Sequence, residues 1–480
     1  MKQLSKNIHP LKERPIKILQ FGEGNFLRAF VDDFIQNLND QNLINANIVV
    51  VQPMPSGRVA EMKKQDGLYT LMLEGLQNGQ IVKTNKIIDC LADFIDPFTE
   101  YDKYLKYARS QELEIIVSNT TEAGIVYVEE NILNGLTPKS FPGKLLALLF
   151  ERYHAFNADL TKGLDIVPCE LIDYNGDQLK DILIKLAQFN KLEVSFIDWI
   201  SKANRFYNTL VDRIVPGYPV ATINEIQKSL GYEDNSLVMG EIFHLWVIEG
   251  SPVLQTKLPF AKSGLNVHYV DSIVPYKQQK VKILNGSHTA LVPISYLLGN
   301  TAVKESMADE RVAQFVDHFV YQEVIPTINL EKSVVTEFAN SVIERYKNPF
   351  IHHLLMSIAL NSISKYKSRI IPTIEDSLKN NVFPKYALFS LAALIKFYSG
   401  VDEKGQTIKL ADDQFILDFF KEVWLKERPC CVTKNVLAWD FWQTDSFKND
   451  MVVEFVTNAL RAITNEGVAN ALEKLKKGAL

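Results

Sequence analysis

The stretch Ile16-Lys17-Ile18-Leu19-Gln20-Phe21-Gly22-Glu23-Gly24-Asn25-Phe26-Leu27 decides the fold class of this chain. Its first half is a short apolar run of strand type. The apolar residues that follow, Phe26, Phe30, Val31, Phe34, Ile35 and Leu38, return at helical spacing. Between the two, Gly22 permits a tight turn and Gly24 lets a ligand approach the backbone. The start of the helix adds amide hydrogens and a partial positive charge. This is the strand, glycine turn and helix expected of a dinucleotide-binding fold, although Leu27 stands where a third glycine is usual.

A second strand, Ile48 to Gln52, begins about 20 residues after the turn, where the fold reads the ribose of its cofactor. Gln52 stands where an acidic residue is usual in NAD enzymes; it can hydrogen-bond ribose hydroxyls without repelling a 2′-phosphate, and Arg58 lies nearby. The reading favours NAD over NADP. A hairpin follows, Tyr69 to Leu73 and Ile81 to Ile87, with the turn signal Asn78-Gly79 between its strands. The strand Ile115 to Val117 runs into Ser118-Asn119-Thr120-Thr121-Glu122, and small polar residues at the carboxyl end of a strand are where an α/β sheet meets its ligand. A helix from Pro142 to Tyr153, a strand Leu164 to Val167 and a helix from Asp177 to Ala187 continue the alternation. The fold class is therefore α/β, with residues 1–274 forming a Rossmann-type doubly wound sheet. From Pro275 onward helical periodicity dominates, as in Val312-Phe315-Val316-Phe319, Val334-Phe338-Val342, Leu354-Ile358 and Leu388-Leu391-Leu394-Ile395, and residues 275–480 are expected to form a mainly helical second domain. Trp439 to Trp442 reads as core or interface packing, and Leu472 to Lys477 as a fraying helix end.

The chain of 480 residues has 52 Lys and Arg against 57 Asp and Glu, a net charge of −5, so no basic excess calls for nucleic acid. No stretch approaches the ~20 uncharged apolar residues of a membrane span, and the first residues lack a secretory apolar run, so the protein is expected in the cytoplasm. Cys90, Cys169, Cys430 and Cys431 show no metal or redox spacing, and the adjacent pair reads as buried thiol. His352 and His353 fall in an apolar helical run and point apart, so no metal site is expected there.

Lys280-Val281-Lys282-Ile283-Leu284-Asn285-Gly286-Ser287-His288 carries the candidate chemistry. On a regular helix Asn285 lies roughly 140° around the axis from Lys280, with His288 between them at roughly 80°. An amine, an amide and an imidazole on one flank can hold a carbonyl or alcohol oxygen and move its proton without a metal. Lys282 reads as a solvated charge.

Several stretches together resemble the mannitol dehydrogenase family of long-chain polyol dehydrogenases. They are Gly22 to Phe30, Gln65-Asp66-Gly67-Leu68-Tyr69-Thr70, Ser118 to Gly124, Leu210-Val211-Asp212-Arg213-Ile214 and Lys280 to His288, in this order. Cys169 to Gly176 and Asn348 to His353 are similar to a sugar-acid branch of that family. The resemblance implies a metal-independent, NAD-dependent oxidoreductase acting on sugar alcohols or aldonates. Lys280 resembles the family's catalytic lysine, and Asn285 and His288 its oxygen-positioning residues. Asp212 and Lys365 resemble substrate contacts, and Ile18 to Ala29, Arg28 included, the NAD-binding segment. Gln52, Asn119 and Thr120 complete the expected cofactor site. On residues alone, Asp212 is equally a surface partner of Arg213, and Lys365 one more charge in the cluster Lys365, Lys367, Arg369.

Two departures, Leu171 for an oxyanion-holding Asn and Ser357 for a substrate arginine, fit a small-molecule sugar-acid substrate better than mannitol. Lys280 is expected to give a proton in reduction, its acidity raised by desolvation and nearby positive charge. A catalytically silent dinucleotide sensor is the alternative from another class, and a monomer or small homo-oligomer the expected assembly.

Overall fold

The structure, a computed structural model, describes residues 1–121, 123–426 and 429–480; Glu122 and the side chain of Cys430 lie outside what is described. The chain divides into two units, one of residues 1–75 and 81–273, the other of residues 76–80 and 274–480.

In the first unit the strands are β1 Ile16–Phe21, β2 Asn47–Val51, β3 Tyr69–Gln77, β4 Gln80–Ile88, β5 Leu91–Ile95, β6 Ile115–Ser118, β7 Asp165–Pro168, β8 Arg205–Phe206, β9 Asn208–Asp212, β10 Val238–Glu241, β11 Leu245–Glu249 and β12 Val267–Val270. Six of them form one parallel sheet in the order β5-β2-β1-β6-β7-β8, the strands being added outward in one direction from β1 to β5 and in the other from β6 to β8. This is a doubly wound sheet, as the alternation of elements requires. β2 is buried at every position and β1 at its last four, because a parallel sheet is covered on both faces. One face packs Ile18, Val50 and Val117 against Phe30, Phe34 and Trp246. The other packs Leu19, Phe21, Val49 and Val51 against Tyr104, Leu145, Leu148 and Leu183.

The hairpin forms as read, with Asn78 and Gly79 both at positive φ (53° and 73°), the geometry a two-residue turn demands. It joins β10 in a separate three-stranded sheet. The first helix differs from its reading. It breaks after Arg28 and restarts at Val31, with Phe30 at φ −131° and ψ −81°. The carbonyls freed by the break are taken up by tertiary partners, that of Arg28 by the Tyr69 hydroxyl at 2.7 Å and that of Ala29 by the Arg213 guanidinium. Periodicity cannot see such a break, since it costs nothing once those donors are present.

The second unit is helical. Its long helix Lys385–Phe397 is buried on nearly all sides and packs against Gly286–Leu297 and the terminal helical segment Asp450–Lys477, which is kinked at Gly467 (φ 83°). That terminal helix is not frayed. Leu472 and Leu475 are buried, and Gly478, in the left-handed region, closes its end with bonds from the amides of Gly478 and Ala479 to the carbonyls of Leu475 and Lys474. Trp439 stacks on Phe419 at 4.0 Å and Trp442 is buried, so the aromatic run is packing. His352 and His353 lie in a non-helical connection before the short helix Leu355–Ile358, not in a helical run; the preceding Asn348-Pro349 already ends the helix.

Candidate active site

In the first unit the carboxyl ends of β5, β2, β1, β6 and β7 stand in one row, their ladder continuing through Gln52 to Ile95, Gly22 to Val51, Asn119 to Phe21 and Cys169 to Ser118. The order of strand addition switches between β1 and β6, and such a switch point is where an open α/β sheet takes its ligand. Gly22 has φ +120°, and a Cβ on it would lie 2.9 Å from the Asn119 carbonyl oxygen, so no other residue fits. A Cβ on Gly24 would meet nothing within 4 Å, which leaves its backbone open to an approaching group. Gln20 donates to the Gly22 carbonyl at 3.1 Å, and Glu23 accepts from the Arg58 amide at 3.1 Å. Burial raises the Glu23 carboxyl above its ordinary pKa. Gln20 Oε1 and Glu23 Oε2 are buried polar atoms without a hydrogen bond among the described residues. An open glycine beside unsatisfied buried polar atoms fits a dinucleotide cradle.

Other expected cofactor contacts turn out to build the cradle's walls. Arg28 is buried, donates to the carbonyls of Glu23 and Ser236 and to Asn25 Oδ1, and lies over the Tyr69 ring. Gln52 spends its amide hydrogens on the carbonyls of Met54 and Pro55, at 2.8 and 3.1 Å, and its side chain fills the space where a Cβ on Gly57 would sit. Asn119 donates to the Cys169 carbonyl at 2.7 Å. Thr120 donates from both amide and hydroxyl to Glu170, which Ser118 also bonds. Glu170, buried with its carboxyl pKa raised by desolvation, thus holds the β6 loop in place. Sequence reasoning passed over it because nothing local marks a carboxylate that will be buried by another strand. Leu27, Phe26, Ile18, Leu19, Phe21 and Ala29 are packing or half-buried backbone of the same segment.

Asp212 ends β9, buried, opposite Leu245. The reading of it as a surface partner of Arg213 fails, because Arg213 is itself buried and pairs with Asp33 at 2.7 Å. Leu171, by contrast, is largely exposed.

In the second unit Val274–Gln279 is α-helical, Lys280–Asn285 is a π-helix and Gly286–Leu297 is α-helical again. This corrects the regular-helix geometry. Bonding to the fifth residue on, rather than the fourth, widens each turn, so Asn285 comes nearly one turn after Lys280 instead of well around the axis. The widened turn has side-chain donors on the carbonyls beside it. The Tyr346 hydroxyl donates to the Leu284 carbonyl at 2.7 Å, Thr289 Oγ1 to that of Asn285 at 2.9 Å, and Ser287 to that of Ile283. Arg369 Nη1 adds a long bond to the Asn285 carbonyl at 3.5 Å and one to Thr289 Oγ1 at 3.2 Å.

Lys280 and Asn285 are half-buried. His288 packs on Tyr346, ring centroids 4.2 Å apart, and edge-on to His353 at 5.2 Å. Its Nε2 is buried without a partner among the described residues. Burial first, then the charges of His353, Arg345 and Arg369, hold its pKa well below the usual 6.5, so the ring is neutral. Lys282 is not a solvated charge. It is buried, donating to Thr327 at 3.1 Å and to Asp376 at 2.9 Å.

The basic cluster on Ser362–Arg369 separates by helical phase. Lys367 turns to Gln443, while Lys365 and Arg369, one turn apart, share a face. Lys365 donates to the Ile358 carbonyl at 2.9 Å, and burial lowers its pKa. Tyr346 and Arg369 are the neighbours of the candidate trio that no sequence motif announced; the i,i+4 relation of Arg369 to Lys365 was the available signal.

Residues 16–262 match the mannitol dehydrogenase Rossmann domain and residues 272–464 the mannitol dehydrogenase C-terminal domain. The chain is 42% identical to an altronate oxidoreductase of Bacillus subtilis over 99% of its own length and 98% of the relative's. Among solved structures, a D-sorbitol dehydrogenase is similar with a TM-score of 0.82 at 22% identity, covering 98% of this chain and all of that one. Mannitol 2-dehydrogenase of Pseudomonas fluorescens, solved with NAD and D-mannitol, gives 0.67 at 21%, covering 99% of this chain and all of that one. Among the described residues no helix is long and apolar enough to cross a membrane, and no group of three or more His, Cys, Asp or Glu could hold a metal ion.

Proposed function

This chain belongs to the mannitol dehydrogenase family, and on that premise we propose that it is an NAD-dependent oxidoreductase interconverting D-tagaturonate and D-altronate in hexuronate catabolism. The observation that carries the reading is the end-to-end likeness to altronate oxidoreductase, 42% over 99% of the chain. The first unit is the cofactor domain, and the second carries the catalytic and substrate groups.

The open face of Gly24, the Gly22 turn and the loop held by Glu170 would hold NAD, which supplies the hydride donor or acceptor when bound. Reduction of a ketone also needs a proton for its oxygen. Lys280 gives that proton in reduction and takes it back in oxidation. Asn285 donates a hydrogen bond to the same oxygen, and His288, kept neutral by burial, offers an N–H without adding a second positive charge. The π-turn matters because it brings the residue types of positions 280 and 285 toward one side. Lys365 is a further proposed substrate contact in that second unit. The protein works in the cytoplasm, without a metal, as a monomer or small homo-oligomer.

The test is a panel of tagaturonate, fructuronate, fructose and fructose 6-phosphate with NADH, followed by absorbance loss at the nicotinamide band. Tagaturonate is expected to give the highest kcat/KM. Preference for an uncharged sugar overturns the assignment, and NADH binding without turnover of any substrate replaces it with a dinucleotide sensor.

A further inference from the structure

Arg369 is half-buried at the end of the helix Ser362–Arg369, against the π-turn that carries Asn285. Among the described residues only its Nη1 has hydrogen-bond partners, the Asn285 carbonyl and Thr289 Oγ1, and both are neutral. No carboxylate among the described residues pairs with it. Lys365, one turn earlier on the same face, is bonded to a backbone carbonyl. The nearby carboxylate Asp412 accepts from the Tyr398 hydroxyl and the Ile363 amide. Burial lowers the pKa of both Arg369 and Lys365; at Lys365 the charge of Arg369 adds to the effect and that of Asp412 opposes it.

Desolvating a guanidinium costs free energy that a protein normally recovers with a carboxylate of its own. Here no described residue supplies the compensating anion, at a point one residue contact away from the proposed oxygen-positioning group Asn285. The remaining nitrogens, Nε and Nη2, form the edge of the guanidinium that matches a carboxylate with two parallel hydrogen bonds.

We propose that Arg369 binds the carboxylate of the sugar-acid substrate through its Nε–Nη2 edge, with Lys365 as the second positive charge on the same helix face, and so selects sugar acids over neutral sugars. The proposal rests on the substrate class assigned above.

A merely structural Arg369 would brace the π-turn through the Asn285 carbonyl and serve all substrates equally. The test therefore compares charged and uncharged ligands in one set of variants. Calorimetric binding of altronate and of its alditol, altritol, to enzyme saturated with NAD is measured for wild type, Arg369→Gln and Arg369→Lys. Turnover of tagaturonate and tagatose is measured in parallel. Arg369→Gln should lose affinity for altronate and kcat/KM for tagaturonate by at least ~100-fold, while altritol and tagatose change by no more than about threefold. Arg369→Lys, which keeps the charge but not the fork, should recover part of the loss. Equal losses on charged and uncharged ligands assign Arg369 to bracing the turn and overturn the proposal, as does unchanged altronate binding in Arg369→Gln. Because binding is read without turnover, wild-type enzyme that binds altronate but prefers a neutral substrate sinks the functional reading while the Arg369 comparison still stands or falls alone. NADH affinity and Tm serve as folding controls, and Lys365→Met provides a second variant that leaves the Asn285 carbonyl untouched; it should also discriminate against the acid.

Discussion

Two lysines two positions apart illustrate what individual residues do here. Lys282 is buried and held by Thr327 and Asp376, while Lys280 stands at the start of the π-turn. Lys280→Ala should lower kcat by ~10²–10⁴-fold, with NADH affinity and Tm unchanged. Lys282→Met should do the reverse, lowering Tm and keeping kcat within a few-fold, because Asp376 and Thr327 lose their bonds from Lys282 while the proposed chemistry is untouched. Steady-state kinetics and thermal melts on both variants separate the roles; similar kinetic damage from each would remove the distinction. In the sequence Lys280 stands out by resemblance and Lys282 reads as a solvated charge, which the structure corrects. The burial of Lys282 is set by residues 45 and 94 positions away, beyond the reach of local spacing.

At the scale of elements, the glycine turn offers a clean comparison. Gly22→Ala places a Cβ against the Asn119 carbonyl in a positive-φ conformation, so it should lower Tm as well as NADH affinity. Gly24→Val adds a side chain into open space on extended backbone, φ −68° and ψ 166°, so Tm should hold while NADH affinity falls at least tenfold. Fluorescence titration with NADH checks both, and undiminished binding by Gly24→Val would falsify the cradle. A second element carries a pH signature. Glu323, buried on a π-helical turn, accepts the amides of Tyr386 and Ala387 at the start of the helix Lys385–Phe397. Burial pushes its carboxyl from 4.5 up to about 7. A carboxyl raised on folding binds its proton more tightly in the folded chain. Its contribution is complete below about pH 4.5 and is lost as pH rises through about 7. The Tm difference between wild type and Glu323→Gln should therefore shrink from pH 5 to pH 8; a difference that is flat or grows over that range contradicts the assignment. Periodicity foresaw helix around Lys280 and from Val312 to Phe319, but not the π-turns within or beside those runs. A π-turn and an α-turn present nearly the same apolar spacing over a few residues, and the choice is made by side-chain donors such as Tyr346, Thr289 and Ser287.

For the molecule as a whole, the described residues contain no cluster able to hold a metal ion, and the proposed proton carrier is an amine. Exhaustive dialysis against EDTA should leave kcat/KM for tagaturonate unchanged, and activity restored only by added divalent cation would refute a metal-free mechanism.

What the chain alone determined is its architecture: apolar runs without alternation make strands buried on both faces, Gly22 and Gly24 mark the turn, and helical returns dominate after Pro275, all of which depend on neighbours a few residues apart. What only tertiary structure decided is the state of the groups that matter chemically. The break at Ala29 and Phe30, the burial of Lys282 and Arg213, the neutrality of His288 and the uncompensated charge of Arg369 each depend on partners tens or hundreds of residues distant. Local spacing sets backbone conformation, whereas solvent exclusion and charge pairing are properties of the packed whole.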